Sequence, residues 1–143
     1  MNEEFEYEEL ARRDPRYPKD AYRFVREALS YAADSLELDL PAYESTTTNQ
    51  AGETAIEKHF TGQQLCEAIR RYANNQYGYM AKIVLKSWNI NRTSCFGDLV
   101  FNMIDMGILK KSEQDRREDF DDIYNFDEVF ETSLEISSST AIF

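Results

Sequence analysis

The spacing of apolar residues between Thr61 and Gly78 constrains the fold more than any other feature of the chain. Apolar side chains recur there every three or four residues, which places them on one face of a helix. Thr61 and Gln64 match a capping box, in which two side chains satisfy backbone N–H groups at a helix start. Gly78 stands where a left-handed C-terminal cap is expected. The predicted buried stripe is Leu65, Ala68, Ile69, Tyr72, Ala73 and Tyr77.

The same period and boundary signals recur in other parts of the chain. Asp14-Pro15 ends a first helix, because the residue before a proline is pushed out of the α region. The predicted helices are 3–13, 19–36, 62–77, 80–88 and 94–106, followed by a turn through Val129 and Phe130. A chain of 143 residues, 42% of them hydrophobic, is long enough to bury one core. The sequence therefore predicts an all-α fold, a small single-domain bundle of five or six helices.

Residues 38–57 interrupt this pattern between the second and third helices. The segment contains Pro41, a Ser/Thr/Asn/Gln run from Ser45 to Gln50, and Gly52, which are signals of an irregular connection. We therefore expect one helical domain over 1–131 with a flexible acidic insertion at 38–57. The Ser/Thr-rich stretch 132–143 is expected to be a disordered C-terminal tail.

Charge is distributed unevenly along the chain. The net charge is −11, yet residues 58–111 carry +5 and residues 112–131 carry −7. A net field of this sign repels phosphate backbones and anionic membranes over about one Debye length. No apolar run approaches the length of a membrane span, and the glutamate-rich N-terminus is unlike a signal peptide. We therefore expect a cytoplasmic protein that has no membrane partner and does not bind nucleic acid as an intact chain.

Several residues invite a chemical role and are better explained structurally. His59 is the only histidine, and a zinc site needs three or four ligands, so a structural or surface role is favoured over a catalytic one. Cys66 and Cys95 are interpreted as two buried thiols. The acidic run at 113–122 fails the EF-hand pattern and is interpreted as a solvated or internally paired face rather than a cation site. We predict no catalytic residue, no metal site and no cofactor, and whether the chain is an enzyme stays open.

A set of short strings, taken together, resembles one protein family. They are RDPRY at 13–17, DAYRFVREAL at 20–29, HFTGQQL at 59–65, QYGYMA at 76–81, FGDLVFN at 96–102, GIL at 107–109, REDF at 117–120 and YNFD at 124–127. By these strings, residues 10–130 resemble a family of uncharacterised proteins found largely in Planctomycetes and Verrucomicrobia. The resemblance implies one unit that spans both sides of the 37–57 excursion, and it implies no particular activity.

The chain departs from that family pattern at three places. Tyr79 stands where the family has proline, and Asn89 stands where it has glycine. The connection around 38–57 is also much longer than the family's. The insertion could therefore carry something particular to this protein.

The leading functional hypothesis is a non-enzymatic module that binds another protein. The alternative is a nucleic-acid-associated regulator whose basic central helices are masked by the acidic segment 112–131. The third predicted helix of the central region, 94–106, has no Arg or Lys, which disfavours DNA recognition through it. Candidate residues for the basic interaction surface are Arg70, Arg71, Lys82, Lys86 and Arg92. Candidate apolar anchors of the masking segment are Phe120, Tyr124, Phe126 and Phe130.

Overall fold

The described part of the chain is a bundle of helices with one β-hairpin in a connection. A computed structural model describes residues 3–34, 43–48, 50–52, 54–110 and 116–130. Within these residues the helices are α1 (Glu3–Arg13), α2 (Lys19–Asp34), α3 (Gly62–Tyr77), α4 (Ala81–Ser87), α5 (Thr93–Asp105) and the single turn α6 (Phe126–Val129). Two 3₁₀ turns span Gly78–Met80 and Arg117–Phe120. The predicted small all-α domain is confirmed.

The helix boundaries follow the local signals in the sequence. At the start of α3 the Gln64 amide donates to Thr61 Oγ1 (3.1 Å) and the Thr61 amide donates to Gln64 Oε1 (2.8 Å). These two bonds satisfy N–H groups that the first turn of a helix leaves without partners. Gly78 ends α3 with a φ of 54° and a ψ of −133°, a conformation that favours glycine because it has no Cβ but is not the left-handed helical one. The capping box therefore acts as predicted, whereas the predicted left-handed cap at Gly78 is wrong.

The connection between α2 and α3 carries a β-hairpin, which corrects our prediction of an irregular segment. Strand β1 (Tyr43–Thr48) pairs antiparallel with β2 (Thr54–His59), and Tyr43 lies opposite His59. The physical reason is that threonine and tyrosine favour extended backbone even when the segment shows no apolar alternation. The predicted flexibility of 38–57 stays a prediction. Residues 38–42, 49 and 53, and the tail 132–143, lie outside the described residues.

The core lies where α2, α3 and α5 meet. α2, α3 and α5 together supply most of its buried side chains, and α1 adds Tyr7 and Leu10. From α4, the side chains of Ala81 and Leu85 are fully buried. None of the described helices has the length and apolar character needed to cross a membrane.

Residues 116–130, called the C-terminal segment below, pack directly on α3 and α5. The approach is close enough that two glycines are needed on those helices. A Cβ on Gly62 would lie 2.7 Å from Asp119 Cβ, and a Cβ on Gly97 would lie 3.0 Å from Phe120 Cβ. The Thr93 hydroxyl donates to the Phe120 carbonyl at 2.5 Å, which fastens the segment to the start of α5. The C-terminal segment is therefore packed into the fold rather than laid over it.

Candidate functional site

Three of the five predicted basic residues line one cleft. Lys82 and Lys86 of α4, and Arg92 before α5, face residues 122–127 across a space of about 520 Å³. The cleft defined by these residues is called the basic cleft below. Lys82 and Lys86 are four residues apart, so they project from the same side of α4. That these three cations form an interaction surface stays a prediction.

Arg70 and Arg71 do not line the basic cleft. Both lie on α3, where their guanidinium groups pair with Glu67; Arg71 Nε lies 2.8 Å from Glu67 Oε2. The Glu67 carboxylate accepts hydrogen bonds from both arginines, and this lowers its pKa. One carboxylate shared by two guanidinium groups leaves a net charge of +1, so the pairing reduces but does not remove the positive charge that these arginines offer to an anionic partner.

Acidic side chains share the basic cleft with the cations. Lys82 Nζ forms an ion pair with Asp127 Oδ1, and Asp122 also lines the cleft. The cleft thus holds three cations and two carboxylates. Within the described part of the chain, neither Lys86 nor Arg92 forms an ion pair, and both are exposed. These two residues are the available positive charges of the cleft.

Apolar side chains also line the basic cleft. Ile90 and Phe126 are buried, and Tyr124 lies beside them in the lining. The Tyr124 hydroxyl donates to the Cys66 carbonyl at 2.7 Å. Burial raises the pKa of Tyr124 well above its usual range. This tyrosine is therefore a structural group rather than a proton donor or acceptor for a ligand.

The four predicted anchors belong to the main core. Phe120, Phe126 and Phe130 are buried, with only 3%, 6% and 1% of their surface exposed, and Tyr124 packs against them. Phe126 stacks on Phe96 of α5 with ring centroids 5.8 Å apart. An acidic segment held in this way cannot leave the basic cleft without opening the core. This arrangement argues against a mask that is released and rebound.

Three large apolar side chains are exposed at the start of α4, the helix that supplies Lys82 and Lys86 to the basic cleft. Tyr79, Met80 and Ile83 are 47%, 43% and 52% exposed. Tyr79 and Met80 belong to the 3₁₀ turn before α4 and Ile83 to its first turn, so the three lie within five residues of chain. Together with Lys86 they are called the α4 surface below.

The sequence analysis missed the α4 surface because the apolar spacing of residues 80–88 predicts a helix buried through Met80, Ala81, Val84, Leu85 and Trp88. That prediction is wrong at Met80, which is 43% exposed. Residues Gly78–Met80 form a 3₁₀ turn, whose three-residue repeat turns Met80 away from the buried face. Ile83, an apolar residue outside the predicted buried stripe and next to Lys82, was the signal that could have revealed the surface.

A second polar cluster lies under the α1–α2 turn. Asp98 of α5 is 7% exposed and accepts a hydrogen bond from the Tyr17 hydroxyl at 2.6 Å. Arg16 Nη1 lies 3.3 Å from its Oδ2, and Arg117 contacts its Oδ1. Asn102 of the same helix donates to Asp14 at 2.8 Å. The buried Asp98 Oδ1 contacts Arg117 but has no hydrogen-bond partner among the described residues, and the cluster joins three chain segments.

The other residues singled out in the sequence give no further site. His59 is the last residue of β2. Cys66 and Cys95 are free and buried, and burial raises the pKa of the Cys66 thiol to about 12. Among the described residues, no three His, Cys, Asp or Glu side chains are grouped to hold a metal ion. Residues 113–115 of the acidic run lie outside the described part.

Comparisons with known protein families, with curated proteins and with solved structures found no match to the chain. The family resemblance drawn from the sequence strings therefore stays a prediction. Any function must be argued from the geometry of the basic cleft and the α4 surface.

Proposed function

We propose that the protein is a non-enzymatic module that binds another protein through the α4 surface. The observation that carries this proposal is the exposure of Tyr79, Met80 and Ile83 within five residues at the start of α4. Single exposed apolar residues are ordinary on a protein surface and need no explanation. Three large ones on adjacent turns form a patch, and such patches are typical of protein–protein contacts.

The composition of the α4 surface fits an interface. Tyrosine and methionine are enriched at the centres of protein interfaces, where they contribute large contact areas. The basic cleft beside it supplies charged groups for the rim, which is usually polar. Its tyrosine is engaged with a backbone carbonyl, and the Cys66 thiol is buried with a raised pKa. These groups support binding better than they support catalysis.

The state of the two cysteines supports a cytoplasmic location for this module. Both cysteines are buried and unpaired in the structure, a state that a reducing compartment maintains. The proposal therefore includes a cytoplasmic location and a protein partner.

The test is partner capture from the native cell with matched variants. A double variant, Met80→Ser with Ile83→Ser, removes the apolar contact. Phe5→Ser, on α1, is the control because Phe5 is equally exposed at 54%. Nuclease-treated lysate is passed over each protein and bound proteins are identified by mass spectrometry. We expect the wild type and the control to retain the same partner and the double variant to lose it. Retention of that partner by all three proteins would refute the role of the α4 surface.

The nucleic-acid regulator is a second candidate, favoured by the Lys82–Asp127 ion pair. In this reading, carboxylates of the C-terminal segment shield cations that a polyanion would otherwise contact. Asp122→Asn with Asp127→Asn removes the shielding charges while leaving the buried aromatic anchors in place. The hypothesis expects this variant to bind heparin at low salt, with an affinity that falls steeply as salt rises. If this variant is folded but does not bind heparin at low salt, the nucleic-acid hypothesis is refuted.

A further inference from the structure

We propose that the partner presents an acidic peptide segment with an apolar side chain, which lies across the α4 surface and the mouth of the basic cleft. This inference rests on the proposed function and names the chemistry of its partner. The cleft beside the exposed apolar side chains holds three cations and two carboxylates, a net charge of +1, and its Lys86 and Arg92 have no ion-pair partner among the described residues. Charge complementarity therefore selects carboxylates on the partner.

Two kinds of subsite lie close together along the chain. Met80 of the 3₁₀ turn and Ile83 of α4 offer an exposed apolar contact, and Lys86 lies one helical turn beyond Ile83 on α4. Arg92 extends the positive charge to the far side of the cleft. A peptide with an aliphatic or aromatic residue next to one or two carboxylates can contact both subsites at once.

The two carboxylates in the cleft distinguish this ligand from a polyanion. Asp122 and Asp127 stand among the cations, so the positive surface is interrupted. A nucleic-acid strand carries a charge at every phosphate and would meet these carboxylates. A peptide with few, spaced carboxylates can avoid them. The net charge of −11 repels both ligands at long range, and salt screens this repulsion while the apolar contact remains.

Asp127 acts in this scheme as an internal competitor. It occupies Lys82 by an ion pair between a side chain that is 33% exposed and one that is 71% exposed. Because such an exposed pair is weak, a partner carboxylate can displace it. Asp127→Asn should therefore strengthen peptide binding, by roughly two- to fivefold on the scale of one exposed pair.

The experiment is a selection of random linear peptides displayed on phage, using the full chain at physiological ionic strength. Selections on the wild type and on Lys86→Glu with Arg92→Glu are compared. Arg12→Glu with Arg13→Glu on α1 is the control, because it changes the net charge equally and neither residue lines the cleft. All substituted side chains are exposed, and circular dichroism checks that each variant is folded.

We expect peptides selected on the wild type to combine Asp or Glu with an aromatic or aliphatic residue. Their affinity should fall roughly tenfold in the Lys86→Glu, Arg92→Glu variant and stay unchanged in the α1 control. The affinity of the same peptides for Asp127→Asn should rise. A loss in the cleft variant, no change in the α1 control and a gain in Asp127→Asn together support an acidic peptide as the ligand.

The opposite results separate this inference from the proposed function. If the selected peptides lack acidic residues but are lost in Met80→Ser with Ile83→Ser, the acidic partner is refuted and the α4 surface stands. The selected peptides could instead be acidic and bind equally well to the Met80→Ser, Ile83→Ser variant and to the Lys86→Glu, Arg92→Glu variant. In that case they bind elsewhere, and both the α4 surface and the acidic partner are refuted. The inference is also refuted if no peptide is enriched more strongly on the wild type than on the Lys86→Glu, Arg92→Glu variant. Displacement of the peptides by heparin, with a steep salt dependence, favours the nucleic-acid candidate instead.

Discussion

Replacement of Phe120 by alanine tests whether the C-terminal segment is part of the core or a detachable mask. Phe120 is 3% exposed, its ring meets Phe101 edge-on with centroids 6.4 Å apart, and its Cβ abuts Gly97 of α5. Alanine would leave a cavity between the segment and α5. A loosely docked mask would lose little on this change, whereas a core element would lose much.

The expected loss is large on the scale of a single domain. A buried phenylalanine side chain removes on the order of 150–250 Å² from water, at about 25 cal/mol per Å². Measured Phe→Ala changes in cores cost about 3–5 kcal/mol, and we expect Phe120→Ala to fall in this range. With a urea m-value of roughly 1.5–2 kcal/mol/M, the unfolding midpoint should fall by about 1.5–3 M. Phe120→Leu, which keeps most of the volume, should cost under about 1.5 kcal/mol.

Urea unfolding followed by circular dichroism measures these differences. Phe5→Ala is the matched control because Phe5 is 54% exposed and the same atoms are removed. We expect its free energy of unfolding to change by less than about 1 kcal/mol. If Phe120→Ala costs no more than Phe5→Ala, the C-terminal segment is not a core element and the argument from burial against masking is wrong.

Two further changes test the packing and the electrostatics. Gly62→Ala should cost roughly 1–3 kcal/mol, instead of gaining the ~1 kcal/mol usual for alanine in a helix, because its Cβ would lie 2.9 Å from the Asp119 carbonyl carbon. Urea unfolding gives the sign of the change in unfolding free energy, with Gln63→Ala at the exposed neighbouring position as the control. A Gly62→Ala variant more stable than the wild type would contradict the close approach of Asp119 to Gly62. Hydrogen bonding to the neighbouring guanidinium lowers the pKa of Asp14 from 3.8 to about 2. The contribution of the Asp14 carboxylate to the free energy of unfolding is therefore present above about pH 4 and lost as the pH falls through about 2. Asp14→Asn should flatten the plot of unfolding free energy against pH in that range. Wild-type and variant plots that run parallel there would refute this.

The sequence by itself predicted the elements whose signals are local. Apolar residues at helical spacing, a capping box at Thr61 and Gln64, and a glycine at 78 act within one or two turns of chain. Helices α1 to α5 follow from such signals to within a few residues. The hairpin at 43–59 escaped because its strands depend on backbone preference and pairing between strands, with no apolar alternation to indicate them.

The tertiary structure alone decided which residues face each other and which remain exposed. Tyr17 and Asp98 are 81 positions apart, so the buried carboxylate and its partners leave no pattern in either segment. The sequence identified aromatic anchors and an acidic segment, yet their burial beside α5 decided that the segment is a core element. Likewise, Met80 is exposed because it lies in the 3₁₀ turn before α4, whose three-residue repeat takes its side chain out of register with the buried face of α4. Short-range periodicity specifies a helix, whereas the partner of each face depends on contacts between distant segments, which no local pattern encodes.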